Sequence, residues 1–283
     1  MTVAIVTDTT ACIPPELVER HGIEVVPLNI ILGGRTFTDA VTSDTSAFYD
    51  LLRTSRDRPT TAAPSPAAYV EAIGRAARRA DSVLCITVSA QFSAMYDSAR
   101  QAVDMVRAES PALDVRLLDS RNAAMAQGFI VLEAARVAAS GGSIDEALAA
   151  AEAMSGRVTL LAMIDTLSYL ARSGRVPRVA AWAAGLVDVK PIVRFSASDI
   201  KLVARTRTRQ RALDRLAALF AEAASGKTAH VAIHHANAPA DAEYLLEAVQ
   251  QHPQLAETHV TEFTQVMGVH TGPGLAGLAF WTE

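Results

Sequence analysis

The residues in this 283-residue sequence best placed for chemistry are hydroxyls beside expected helix starts. Thr60 and Thr61 come just before a helix start at Ser65–Pro66. Ser93 stands in the turn between an expected strand, Val83–Val88, and a helix running from about Ser93 to Arg107. In an open α/β sheet such turns lie at the carboxyl ends of strands, where ligands bind. Helix N-termini there present unpaired N–H groups and a favourable dipole, so the chemistry is the binding of a carboxylate or phosphate. Each hydroxyl alone reads as a helix cap. Two of them converging near a Gly-rich loop that carries His270 point to an anion site.

Other candidate motifs carry less. Gly272–Pro273–Gly274–Leu275–Ala276–Gly277 has the letters of a dinucleotide-binding loop, which needs a strand before it and a helix after it. Only six residues follow Gly277, and they read as a strand. His234–His235 and the scattered His21, His230, His252 and His259 lack metal-ligand spacing, so no metal is expected. Neither a nucleophile elbow nor a phosphate-cradling Gly-Lys-Ser loop occurs, and no cofactor is expected. Asp8 could suggest phosphoryl chemistry, but the second acid is missing, and a capping role near Thr9 and Thr10 is the simpler reading.

The elements that must position these residues alternate between strand and helix. Val3–Thr7 reads as a strand, Pro14–Pro15 opens a short helix, and Glu24–Leu32 is a long strand ended by Gly33–Gly34. Asp44–Ser55 reads as a helix, and Val83–Val88 is the continuous apolar run of a buried parallel strand. Val115–Leu118, an Ala-rich helix to Ser140, the break Gly141–Gly142–Ser143 and helix Ile144–Ser155 complete a first lobe. Val158–Met163, helix Thr166–Arg172 and an antiparallel pair, Val189–Phe195 with Ile200–Ala204, begin a second. In helix Arg207–Ala224, Leu213, Leu216 and Phe220 share one face. Val231–His234, helix Ala240–Gln250, His259–Phe263 and Leu278–Trp281 follow. The expectation is an α/β protein of two lobes, 1–155 and 156–283.

Composition narrows the class. Hydrophobic residues make up 50% and charged residues 20%, which excludes a disordered scaffold. A net charge of −4 argues against nucleic-acid coating and electrostatic membrane adhesion. Cys12 and Cys85 have no CxxC partner and read as buried thiols of a reducing cytoplasm. The N-terminus lacks a basic region ahead of a long apolar stretch, and no window reaches the ~18 apolar residues of a membrane span. Charge is unevenly spread: from Arg172 to Arg215, eleven Lys or Arg face three acids, so this segment is +8 and the remainder −12. Such a run is either a solvated face or a docking surface for a partner with acidic or phosphate groups. With only Trp182 and Phe195 interleaved, it does not read as a nucleic-acid platform.

The ordered set of motifs resembles the DegV family along essentially the whole chain. The N-terminal Ile-Val-Thr-Asp-Thr-Thr with Asp8 resembles the family's strand ending in Asp-Ser, Val26–Pro27–Leu28 its second-strand signature, and Asp39 the acid that follows. Pro59–Thr60–Thr61–Ala62–Ala63–Pro64–Ser65 resembles its Thr-Ser-Gln-Pro-Ser motif. Gln91–Phe92–Ser93–Ala94–Met95–Tyr96–Asp97–Ser98–Ala99 resembles its Leu-Ser-Gly-Thr-Tyr-Gln-Ser-Ala motif. Asp119–Ser120, Asp165–Thr166–Leu167, Gly174–Arg175, Lys190–Pro191–Ile192, Arg207–Thr208 and His270–Thr271–Gly272–Pro273–Gly274 continue the match in order. Ala62 and Ala63 replace Ser and Gln, and Ala94–Met95 replace Gly-Thr, so the neighbours of the two aligned hydroxyls differ from the family's.

The resemblance implies an N-terminal parallel-sheet lobe, a C-terminal mixed-sheet lobe and a lipid tunnel between them. It implies a fatty-acid carrier without catalysis of its own, holding a long-chain fatty acid with the carboxylate at Thr61 and Ser93 and His270 close by. A separate ATP-dependent fatty acid kinase subunit would phosphorylate that carboxylate to an acyl phosphate. An acyltransferase of phospholipid synthesis would then take the product. Arg205 and Arg207, in the basic segment, are the residues expected to dock the kinase. The enzyme alternative is an acyl hydrolase with Ser93 as nucleophile and His270 as base. A signalling or sugar-binding module of related two-lobe form is a third.

Overall fold

A computed structural model describes residues 2–39, 45–55, 57, 59–176, 189–196 and 199–283. The chain begins with β1 (Val3–Asp8), a 3-10 turn over Thr9–Ala11, α1 (Pro15–His21) and β2 (Glu24–Val26). It continues through β3 (Asn29–Leu32), β4 (Arg35–Thr38), α2 (Ser46–Thr54), β5 (Thr60–Ala62) and α3 (Pro66–Ala77). Then come β6 (Ser82–Thr87), α4 (Met95–Glu109), β7 (Asp114–Asp119), α5 (Ala124–Ala139) and α6 (Ile144–Arg157). The second half runs β8 (Thr159–Met163), α7 (Leu167–Ser173), β9 (Lys190–Ser196), β10 (Asp199–Thr206) and α8 (Arg209–Ala224). It closes with β11 (Ala229–His235), α9 (Pro239–Gln250), β12 (Leu255–Glu262), α10 (Gln265–Thr271) and β13 (Ala276–Thr282).

Two compact units result, one of Met1–Ser43 with Asp57–Gly156 and one of Asp44–Arg56 with Arg157–Glu283. The lobes expected from sequence are continuous, 1–155 and 156–283, and α2 departs from them by clustering with the second unit. Packing explains the departure. Phe48, Tyr49 and Leu52 are the buried face of α2, and the Tyr49 hydroxyl donates to the Phe263 carbonyl at 3.2 Å. The Tyr49 ring also fills the space over Gly268 that a side chain there would need.

In the first unit a parallel sheet runs β2-β1-β6-β7. All six residues of β6 are buried, as a strand covered on both faces requires. The single long strand expected over Glu24–Leu32 is two strands in two sheets. Pro27 has no N–H to give a ladder, and it parts β2 from β3. β3 instead turns back at Gly33–Gly34, both with positive φ, and pairs antiparallel with β4. β5 pairs antiparallel with the other edge of β3 to complete a small three-stranded sheet, β4-β3-β5.

The second unit is built on a mixed sheet, β10-β9-β8-β13-β11-β12, antiparallel except for β11 with β12. The pair expected over Val189–Ala204 is β9 and β10. Leu213, Leu216 and Phe220 of α8 and Leu245 and Val249 of α9 pack on Leu161, Ile192, Val231, Ile233 and Leu278. Each of these fully buried side chains contributes about 1.5–3 kcal/mol relative to exposure. The helix expected to start at Arg207 starts at Arg209, because Thr208 caps it by accepting from the Arg211 amide at 3.3 Å. Among the described residues, no helix is long and apolar enough to cross a membrane.

Candidate functional site

Asp8 ends β1 and holds the turn from which the first unit's site elements spread. Its buried carboxyl group accepts from the Thr10 amide (3.0 Å) and hydroxyl, the Val88 amide (2.9 Å) and the Gln127 side chain (3.1 Å). Burial raises its pKa, and these hydrogen bonds pull in the opposite direction. The capping role read from the sequence is found, extended to a cross-link of β1, β6 and α5.

Thr60 and Thr61 were expected at the carboxyl end of a strand in the open sheet. They lie instead within β5, in the small antiparallel sheet, because β3 offers a free edge to that segment. Register separates the two hydroxyls. Thr61 stands opposite Ile30, which is fully buried, whereas Thr60 stands opposite Ile31, which is 42% exposed. Paired residues share a face, so Thr61 belongs to the inner face and Thr60 to the outer one. Ser65 takes the N-cap position of α3 without a side-chain cap, and Pro66 opens the helix.

Ser93 is where the sequence placed it, in the turn between β6 and α4. Its Oγ accepts from the Met95 amide at 3.3 Å, so its hydroxyl proton remains to be donated elsewhere. Neighbouring chain segments hold this turn. Ala90 donates to Asp119 Oδ1 (3.3 Å), Ser89 to the Asn122 carbonyl (3.0 Å), and Phe92 to the Ser89 carbonyl (2.9 Å). Asp119, at the end of β7 and part of the Asp119–Ser120 motif, anchors the Ser93 turn.

His270 belongs to the second unit, whereas Thr61 and Ser93 belong to the first. It was expected in the Gly-rich loop and lies instead in the last turn of α10, a helix that the sequence reading missed. A seven-residue helix with Gly268 inside it has too little periodicity to be seen. Burial, with Arg175 nearby, lowers the His270 pKa to about 4. The ring is therefore uncharged at neutral pH and offers one N–H donor rather than a cation.

Arg205 and Arg207 are both exposed, the first on β10 at the edge of the six-stranded sheet. Part of the basic run has another task. Lys190 pairs with Asp165 at 2.7 Å, and Arg209 pairs with Asp165 at 2.9 Å and also with Asp241. Residues 177–188 and 197–198 of the run lie outside the described residues. The Arg209 cluster was not foreseen. A cation in the first turn of a helix opposes the dipole, and that misfit was the available signal that it is engaged elsewhere.

The remaining motifs resolve structurally. Gly272–Gly277 leads into β13 with no helix after it. His234 and His235 point to opposite faces of β11. His234 lies fully buried, its Nδ1 3.3 Å from the Thr261 hydroxyl, and burial lowers its pKa to about 3. Cys12 and Cys85 are buried thiols.

Comparison with known proteins covers the whole chain. A sequence profile described as "Uncharacterised protein, DegV family" matches residues 2–283. A DegV domain-containing protein of Streptomyces coelicolor is 37% identical over 279 residues, covering 98% of this chain and 97% of its own. Protein DegV of Bacillus subtilis is 32% identical over 282 residues, 99% of each chain. The structure described as DegV, a fatty acid binding protein from Bacillus subtilis, is similar with a TM-score of 0.88 at 31% identity, covering 100% of both chains. That of a DegV family protein from Thermus thermophilus, described for its fatty acid binding, has a TM-score of 0.91 at 26% identity, again covering 100% of both. The α/β architecture with two sheet-containing lobes is common to these structures.

Proposed function

The chain belongs to the DegV family, and from that premise we propose that it is a carrier that binds a long-chain fatty acid and presents its carboxylate to a separate kinase. The observation that carries the reading is the full-length likeness to two structures described for fatty acid binding. Thr61 and Ser93 donate to the carboxylate, and His270 supplies a third, neutral donor. A carboxylate taken from water without partners is prohibitively costly, so such donors are required. Burying about fifteen methylenes at ~0.8 kcal/mol each contributes roughly 12 kcal/mol gross, against several kcal/mol for association and ordering. Neutral donors hold the carboxylate less tightly than an Arg fork, which suits its transfer to a phosphoryl donor.

What His270 can do favours the carrier over a hydrolase. A general base works best with a pKa near the working pH, and a ring held at about 4 is a weak one. Lipid extraction and mass spectrometry of the purified protein should return an intact fatty acid. Long-chain acyl esters and thioesters should not turn over with the protein alone. Release of free acid that depends on Ser93 and His270 would replace the carrier by the hydrolase.

The kinase and a downstream acyltransferase of phospholipid synthesis complete the reading, with Arg205 and Arg207 as the docking residues. Their exposure supports this role. In a coupled kinase assay, Arg205→Ala with Arg207→Ala should slow acyl-phosphate formation several-fold while fatty-acid affinity is retained. The deficit should shrink as salt rises, because at about 0.15 M exposed charges are screened beyond roughly 8 Å. Unchanged flux in the double variant leaves these arginines a solvated face.

A further inference from the structure

We propose that Arg209 is a positioning residue: its guanidinium clamps the glycine loop that follows His270 and so sets where His270 presents its ring. The proposal rests on the carboxylate site described above. Arg209 Nη1 donates to Asp165 Oδ1 at 2.9 Å. Nη2 donates to the Gly274 carbonyl at 2.8 Å and also meets Asp241 Oδ2. Lys190 also holds Asp165, donating to the same Oδ1 at 2.7 Å and to its carbonyl at 3.0 Å. Side chains from the β8–α7 junction and α9, with β9 acting through Asp165, thus hold the Arg209 guanidinium of α8, which reaches the loop carbonyl.

The loop is shaped for that grip. Gly274 has φ +86°, and a Cβ on it would lie 3.0 Å from Asp165 Cβ and 3.3 Å from Arg209 Nη1. Gly272 has φ +79°, and a Cβ there would overlap the Tyr169 ring of α7. The Gly274 amide donates to the Ala236 carbonyl at 2.7 Å, and the Gly272 amide closes α10 by donating to the Gly268 carbonyl at 2.8 Å. His270 sits inside that closed turn, so movement of the loop moves the ring. Charge alone does not account for the arrangement. Arg209, Lys190 and Asp165 are 28–34% exposed at their side chains, and pairs so exposed contribute little. Arg209 instead reaches the Asp165 carboxylate and the Gly274 carbonyl from two different nitrogens of one rigid planar fork, a two-pronged geometry that the single nitrogen of a lysine at this position does not reproduce.

Arg209→Lys, which keeps the charge, is therefore the informative variant, with Arg209→Gln in reserve if the lysine form does not fold. Fluorescent fatty-acid titration should show binding weakened about fivefold, within the range of coupled neighbours. In a His270→Ala background the same change should have almost no effect. Equal loss in both backgrounds would overturn the clamp. The His270 Cε1–H resonance, assigned by its disappearance in His270→Ala, should shift in ligand-free Arg209→Lys; an unmoved resonance would also overturn it. Should the wild type bind no fatty acid, the carrier reading fails, and this resonance alone decides whether Arg209 positions His270.

Discussion

Replacing Thr61 and Ser93 together with alanine is expected to weaken fatty-acid binding by roughly a hundredfold, at ~1.4 kcal/mol per lost donor. Each hydroxyl removed leaves a buried carboxylate oxygen short of a hydrogen bond, and the hydrocarbon chain cannot compensate. Thr60→Ala is the matched control, because Thr60 stands opposite exposed Ile31 on the outer face of the small sheet and should bind as the wild type does. His270→Ala should cost about tenfold, the loss of one donor. The ratio of its affinity to that of the wild type should stay constant from pH 6 to 8, since a ring with a pKa of about 4 does not titrate there. Fluorescent fatty-acid titration of folded variants measures all of these. Wild-type affinity in the double variant would remove both hydroxyls from the site.

Gly277→Ala should destabilise the protein by at least ~3 kcal/mol, the upper range for overpacking where nothing can yield. Gly277 lies on β13 opposite Ala162 of β8. A Cβ there would overlap the Leu161 carbonyl oxygen and come within 3.0 Å of Ala162 Cα, so the obstacle is backbone. β8 and β13 are inner strands of the six-stranded sheet, and their separation is set by the ladder on both sides. Gly74→Ala makes the contrast. Gly74 is inside α3 with nothing within 4 Å of the added methyl, and alanine there should be stabilising by up to ~1 kcal/mol. Thermal denaturation followed by circular dichroism should place Gly277→Ala about 10 °C below the wild type. A melting temperature within a degree or two of wild type would mean that the strands can part.

The same glycine shows why a motif could be seen without its role being legible. The letters of Gly272–Gly277 are those of a phosphate-binding loop, but the loop runs into strand β13 where such a site needs a helix. What the glycines do instead depends on partners far away in sequence. Gly277 is demanded by Leu161, Gly272 by Tyr169 and Gly274 by Asp165. No window of sequence contains these pairs.

Local pattern determined the elements whose cause is local. The apolar run of β6, the Pro66 start of α3, the spacing of Leu213, Leu216 and Phe220 on α8, and the turn that carries Ser93 were all legible, because each follows from neighbours within a few residues. The ordered motifs determined the family and with it the two-lobed α/β class. Tertiary structure decided the rest. Whether Pro27 interrupts one strand or divides two sheets depends on which edge is free to pair. Thr61 faces inward only by its register with Ile30. α2 sides with the second unit because Tyr49 finds Phe263 and Gly268, more than 200 positions along the chain. The basic run read as a +8 surface, yet Lys190 and Arg209 turn inward to Asp165 and Asp241, acids that lie outside that run. Charge, like packing, is settled by what the fold brings within a few ångströms, and composition counts only what the chain contains.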